Sequence, residues 1–381
     1  MRKLLFVSLI LSLTAAWLIG CGSSSKTLPV TQTNSVAFLQ EAPSAGTYMF
    51  SPMIGTFTTK GTTTTFSSAA VMDKSTNQPL AAEIYSIVLS ADATKATFDL
   101  YGGLDGTSYQ WDIWVGNASG TSNPTQVTND NNWNRMPQFS PDASKVVFIS
   151  DRMGSDGNYH DTIVIRNADG TGDTPLPLPS GAENAWAPTF SPDGTKIAAE
   201  IWGYNTQSGT YSDGIWVMSK DGSNLTMLTD PWNTLGCDCL DETPAYTPDG
   251  AKIVFSRDDW TTTPEVENIF IMNADGTNLV QLTNNTAVNF DPLAINVAGA
   301  GTKILFSSNV SNPTDTTGAM FDLYSMNLDG TSVARLTTNT LYDSFSGEWY
   351  EYGELAALRT SRHSAHHRVP PTPKAGHPIH W

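Results

Sequence analysis

The sequence predicts an all-β molecule, a six-bladed β-propeller of four-stranded antiparallel blades, with seven blades as the alternative. Three observations predict it. A unit of about fifty residues recurs along the chain, each unit carries two tight-turn signatures, and its third strand is apolar on both faces.

The repeat comes first, because a fixed period of this length marks an architecture built of stacked units. Its first marker is a turn followed by a lysine and an apolar strand. It reads SPDASK at 140–145, SPDGTK at 191–196 and TPDGAK at 247–252, with weaker copies SADATK at 90–95 and AGTK at 300–303. The lysines fall at 95, 145, 196, 252 and 303, at intervals of 50, 51, 56 and 51. The second marker keeps the same beat. It reads IWVGNASG at 113–120, IVIRNADG at 163–170, IWVMSKDG at 215–222, IFIMNADG at 269–276 and LYSMNLDG at 323–330. A closing Leu-Thr follows at Leu228, Leu282 and Leu336, with Val127-Thr128 as a variant.

Proline fixes φ at the first turn position, and Asp-Gly supplies the positive φ that a tight hairpin needs. Two hairpin turns per unit imply four short antiparallel strands. In the third strand Ile215 and Val217 take one face, Trp216 and Met218 the other. A strand apolar on both faces has to be covered on both. Stacking each sheet between two neighbours around an axis achieves this, and the regular beat favours that solution over a β-sandwich.

Full units lie at about 82–130, 137–182, 188–235, 244–288 and 292–340. Strand-like segments at 35–40, 47–54 and 62–71 precede them, and 344–352 reads as a lone first strand at the other end. A sixth blade assembled from both termini would close the ring and remove its free edges. A seventh would require ELAALR at 354–359 to begin another unit.

The turn SPDGxK and the ending MNxDGTxxxxLT resemble the repeat of TolB-like propellers over about residues 82–340. That resemblance implies a propeller that binds other envelope proteins through one face, a peptidoglycan-associated lipoprotein among them. It is specific for fold and weak for activity, since related propellers occur in lyases and peptidases. The chain departs from TolB in carrying its own lipidation cysteine and in a segment before the first strand that leaves no space for the small α/β domain preceding the TolB propeller. These departures weigh against a role in the Tol system.

The N-terminus reads as an address. Arg2 and Lys3 precede an uncharged apolar run over 4–19, which ends at Gly20-Cys21. This is a secretory signal, and its cleavage site resembles the bacterial lipoprotein box, with Cys21 as the lipidated residue. Sixteen apolar residues fall short of a membrane span. The resulting divisions are a signal peptide at 1–20, a flexible tether at 21–34, the propeller at 35–353 and an atypical tail at 354–381. Gly22 after the cysteine, by resemblance to such lipoproteins, directs the protein to the outer membrane, facing the periplasm or the surface.

The formal charge is −17, and both ends are basic, so the propeller body is more acidic still. Such a body repels phosphate backbones and excludes nucleic acid as a partner. Cys237 and Cys239 are a candidate disulfide in an oxidising compartment, with a tight ring as the objection. Zinc is not expected there, because no second Cys or His pair accompanies them. The tail holds five of the six histidines, among prolines and without an acid after Glu354. It reads as a disordered end rather than a metal tract.

Candidate binding residues lie just before the first strand of each blade, where loops crowd one mouth of the channel. They are Asn134, Arg135, Glu183, Asn184, Asp241, Glu242, Asp291 and Asp343. Converging carboxylates would focus negative potential there and receive a basic side chain, an amino terminus or a cation such as calcium. The competing reading has each acid capping a local turn. Asp230, Trp232 and Trp260 sit in longer insertions, where an aromatic could stack on a sugar or a partner chain. The Asp-Gly pairs at 169, 221, 275 and 329 are turns without calcium-loop spacing.

No resident cofactor and no catalytic residue is expected. The body has one histidine, His160, read as a hairpin-loop residue, and no GxSxG elbow occurs. The expectation is a non-enzymatic, membrane-tethered binding or scaffold protein of the bacterial envelope. The alternative is a glycan-binding or glycan-cleaving propeller with its site at the acidic mouth.

Overall fold

The computed structural model describes residues 31–41, 50–60, 63–70, 72–73, 78–79, 84, 86–101, 110–118, 124–154, 157–179, 181–182, 184–205, 210–237, 239–262, 266–310, 321–338 and 343–344. They form six four-stranded antiparallel sheets and one two-stranded ribbon, Met72–Asp73 with Gln78–Pro79. The one described α-helix is the short Pro231–Leu235.

Five blades follow one another along the chain, each ordered from inner to outer strand. Blade I is Ile87–Leu89, Lys95–Tyr101, Trp111–Asn117 and Thr125–Gln126. Blade II is Asn134–Phe139, Lys145–Met153, Tyr159–Asn167 and Thr174–Pro175. Blade III is Asn184–Phe190, Lys196–Asn205, Thr210–Ser219 and Thr226–Met227. Blade IV is Cys239–Tyr246, Lys252–Asp259, Val266–Asn273 and Val280–Gln281. Blade V is Asn289–Val297, Gly301–Ser308, Asp322–Asn327 and Ala334–Arg335.

Blade VI takes its inner strand, Asp343–Ser344, from the C-terminal side and the other three from the N-terminal side: Thr31–Glu41, Phe50–Lys60 and Thr63–Ala70. Leu39 pairs with Ser344 and Gln40 with Asp343. The ring therefore closes at six. The first strand begins at Thr31, inside the segment read as tether, because Thr31–Asn34 continue the register with Phe57–Lys60. Residues 345–352, the rest of the expected closing strand, lie outside the described residues, as do 1–30 and 354–381.

The turn marker does the work its residues predict. In the SPDG loops the serine or threonine hydroxyl bonds the aspartate two residues on, and accepts the N–H of the lysine that opens the second strand: Lys145 N–H to Ser140 Oγ is 3.0 Å, and Lys196 N–H to Ser191 Oγ is 2.9 Å. Asp142 and Asp193 are held down at about 2 by these hydroxyl and backbone bonds. Gly194 and Gly250 take the positive φ, and Ala93 and Ala143 take it in the copies that lack glycine. The Asp-Gly hairpins are built alike, with Asp169, Asp221, Asp275 and Asp329 each accepting an N–H and a hydroxyl from the residue two places on.

The closing Leu-Thr has a second role. The buried Thr128, Thr229, Thr283 and Thr337 hydroxyls accept the N–H of Ile113, Ile215, Ile269 and Leu323 at 2.8–3.0 Å. Each supplies a bond where the two-residue outer strand has ended.

The core is a set of seams between neighbouring blades. Met218 packs with Ile163 and Ile165 of blade II, while Ile215 and Val217 pack with Phe255 and Met272 of blade IV. Blade VI is seamed to blade V by Val36, Phe57 and Leu305, and to blade I by Ala37, Ile87 and Phe98. Burying both faces of every sheet is what fixes the propeller.

Candidate functional site

Antiparallel order gives the ring two unlike faces. The turns between first and second strands, and between third and fourth, share one face; in blades I–IV the first-to-second turn is always five residues long. The second-to-third connections and the links between blades share the other. Those connections run from four residues in blade III (206–209) to thirteen in blade V (309–321). Uniform turns belong to the scaffold, and variable loops on a rigid scaffold are where binding concentrates.

Side chains of an inner strand point into the seams, because each sheet stacks face to face on its neighbours. Among the described candidates, Asn134, Arg135 and Asn184 lie at one seam and Asp241 and Glu242 at a second, with Asp291 in blade V. At the seam between blades II and III a ladder climbs from core to solvent on one face of blade II. Ile149 opposes Ile163, Asp151 opposes Asp161, and Met153 opposes Tyr159. The isoleucines are fully buried, whereas Met153 is 60% exposed and Tyr159 53%. Arg135 lies beside the carboxylate rung, its Nη2 3.5 Å from Asp161 Oδ2 and its guanidinium 4.7 Å from the centre of the Trp186 ring. The Asp161 N–H donates to Asn184 Oδ1 at 2.9 Å, tying the ladder to blade III.

Burial, and then the neighbouring Asp161, push Asp151 up to about 6, with Arg135 and His160 opposing. Burial also raises Asp161, against the pull of Arg135. His160 sits in the strand opposite Arg152 rather than in the hairpin loop. Asn134 is fully buried, and its amide donates to Asp130 and to the Asn132 carbonyl.

At the seam between blades III and IV, Asp241 is fully buried and held by Arg257 in a two-point ion pair, 2.5 and 2.7 Å. Arg257 also covers the Phe270 ring at 4.7 Å. Asp213 is buried beside it; burial, then Glu242, Asp241 and Asp230, raise its carboxyl well above the usual range. Asp230 caps the short helix by accepting the Asn233 N–H, and Trp260 donates its indole N–H to Asp258. Cys237 and Cys239 are joined as a disulfide, with Cα atoms 5.2 Å apart. Asp291 lies in the inner strand of blade V, buried and at positive φ. Glu183 lies outside the described residues, and of Asp343 only the backbone is described. Among the described residues no group of three His, Cys, Asp or Glu side chains is arranged to hold a metal ion.

No family model and no curated protein matches the chain. Solved structures do. TolB from Acinetobacter baumannii superposes with a TM-score of 0.56 at 15% identity, over 82% of this chain and 65% of that one. A structure assigned to TolB from Agrobacterium tumefaciens gives 0.52 at 15% identity, over 82% of this chain and 98% of the other. The fold is that of a TolB-like β-propeller. Kuenenia stuttgartiensis hydrazine synthase matches as well, with a TM-score of 0.56 at 13% identity over 84% of this chain and 47% of that one. At these identities the likeness carries the fold and no activity.

Within this TolB-like ring, sequence reasoning found the inner-strand residues and missed their partners on the third strands. Asp161, Asp213 and Glu267 each stand two residues before the isoleucine that opens the apolar core of that strand, Ile163, Ile215 and Ile269. The fifty-residue beat could have exposed them. It could also have exposed a bulge in each inner strand of blades II–V, where Met136, Ala187, Thr243 and Asp291 take positive φ immediately before a proline and the pairing register shifts. Asp99 of blade I reaches across its seam to accept the Met136 N–H at 2.9 Å.

Proposed function

We propose that this chain is a secreted, lipid-anchored binding propeller of the bacterial envelope, which engages a protein partner through the variable-loop face over blades II and III. The observation that carries the reading is the exposed Met153–Tyr159 pair standing above the Arg135–Trp186 stack. Methionine, tyrosine, tryptophan and arginine are the residues enriched at the cores of protein interfaces, and such anchors carry most of the binding energy. The carboxylates of Asp151 and Asp161 below them favour a partner that presents basic side chains. Resemblance to TolB-like repeats supports an envelope protein as that partner, a peptidoglycan-associated lipoprotein among the candidates. The N-terminal apolar run and Cys21 support the anchor.

A photo-crosslinker placed at Tyr159 in intact cells tests the interface. One discrete protein adduct is expected, abolished by Arg135→Ala with Met153→Ser and absent when the probe replaces Ser223 on the uniform-turn face. Equal labelling from both faces, or none from Tyr159, would sink the reading; oligosaccharide adducts would replace it with a glycan site. Cys21→Ala tests the anchor separately and is expected to move the protein from the membrane to the soluble fraction.

A further inference from the structure

We propose that the outer strand of blade VI is a self-association edge, which joins two copies of this chain by antiparallel strand pairing. The outer strands of blades I–V are two residues long, and two of them carry Pro175 or Arg335. Short strands, prolines and charges are the devices that keep a sheet edge from recruiting another strand. The outer strand of blade VI, Thr63–Ala70, is eight residues long and uses none of them. No charged residue and no proline occurs from 61 to 72. Its pairing with the third strand runs without a register shift from Lys60 opposite Thr63 to Met53 opposite Ala70, so no bulge twists the edge away. Every other residue along it directs its N–H and C=O outward, with no further strand beside it among the described residues.

The strand is also anchored well enough to present that edge. Phe66 lies 4.9 Å from Phe57, ring centre to ring centre, and its ring covers Gly55, where a Cβ would approach within 2.5 Å. With Phe66 turned onto the blade, Thr63, Thr65, Ser67 and Ser68 remain exposed.

A second copy is the occupant that fits. With 37 acidic and 20 basic residues, two copies repel over most approaches. The uncharged strip sets no like charge against like. A two-fold axis through Phe66 places Thr65 opposite Ser67 and Thr64 opposite Ser68. Cross-strand hydroxyl pairs of this kind are stabilising, and a two-fold contact repeats each of them.

Sedimentation of the full chain in mild detergent, across a concentration series, reads the association directly. A monomer–dimer equilibrium is expected, and Thr65→Lys is expected to weaken it at least ~10-fold by setting a charge on each side of the axis. Adding Ser67→Glu to Thr65→Lys should restore the dimer, because each lysine then faces a glutamate. Melting curves of both variants check that the blade is intact. Thr65→Cys combined with Ser67→Cys sets cysteines face to face across the axis and should form intermolecular disulfides under oxidation, whereas Ser223→Cys should not. A chain that stays monomeric throughout, or a dimer untouched by Thr65→Lys, overturns the proposal. So does a monomer that binds a free threonine-rich peptide at this edge, which would assign the edge to a different strand.

Discussion

Thr283 shows how much one repeated side chain holds. It accepts the Ile269 N–H at 2.9 Å and donates to Asn268 at 3.0 Å, both within the blade. Thr283→Val keeps the shape and strands a buried N–H, which should cost ~2 kcal/mol. Chemical denaturation checks the value, with the exposed Thr286→Val as the neutral comparison. Asp151 works in the opposite sense. Its carboxyl is raised to about 6 in the fold, so the folded state binds the proton more tightly than the unfolded chain does. The resulting stabilisation is complete below the ordinary carboxylate value and is lost as pH rises through about 6. Asp151→Asn should therefore be the more stable protein at pH 7.5, by ~1 kcal/mol once solvent screening of this part-exposed group is discounted. It should also flatten the melting-temperature profile between about pH 4 and 6. A variant profile that falls across that window as steeply as the parent's would place the titration elsewhere.

At the scale of elements, the turns divide by what their positive φ demands. Ala93 holds φ +54° where Gly194 and Gly250 hold the same position in blades III and IV. Ala93→Gly removes a Cβ penalty of ~1–2 kcal/mol and adds unfolded-chain freedom of ~0.4–1, so a net gain near ~0.5 kcal/mol is expected in denaturant melts. Gly222→Ala should go the other way and further. Its φ is +82°, and an added Cβ would sit 2.3 Å from Pro177 Cδ across the seam, so a loss above ~2 kcal/mol is expected. These turns, and the strands between them, were legible in the sequence because Pro, Asp-Gly and alternating apolar residues are local signals. The bulges at Met136, Ala187, Thr243 and Asp291 leave no local mark in the non-glycine residue itself, and only the proline recurring after each one could have shown them. The candidate site was legible only in part for a related reason. Asn134 and Asp241 stand at the expected strand starts, yet side-chain direction there is set by seam packing. Arg135 meets Asp161, and Asp241 meets Arg257, only once two strands are registered.

At the scale of the whole molecule, the decisive contact is the one between chain ends. Five blades are continuous in sequence and need only local hairpins, while the sixth needs Asp343–Ser344 to find Thr31–Glu41 across nearly the full chain. Without that strand the inner edge of Thr31–Glu41 loses its partner, and the ring keeps blade VI only through its seams with blades I and V. Ending the chain at residue 338 should lower the melting temperature and broaden the transition, because a ring with an open inner edge loses cooperativity and exposes a strand to association. Ending it at residue 353 retains Asp343–Ser344 and should leave the transition where it was. Calorimetry of the two truncations decides the matter, and equal melting of both would show that the seams alone, not the strand contributed by the C-terminal side, hold the ring shut.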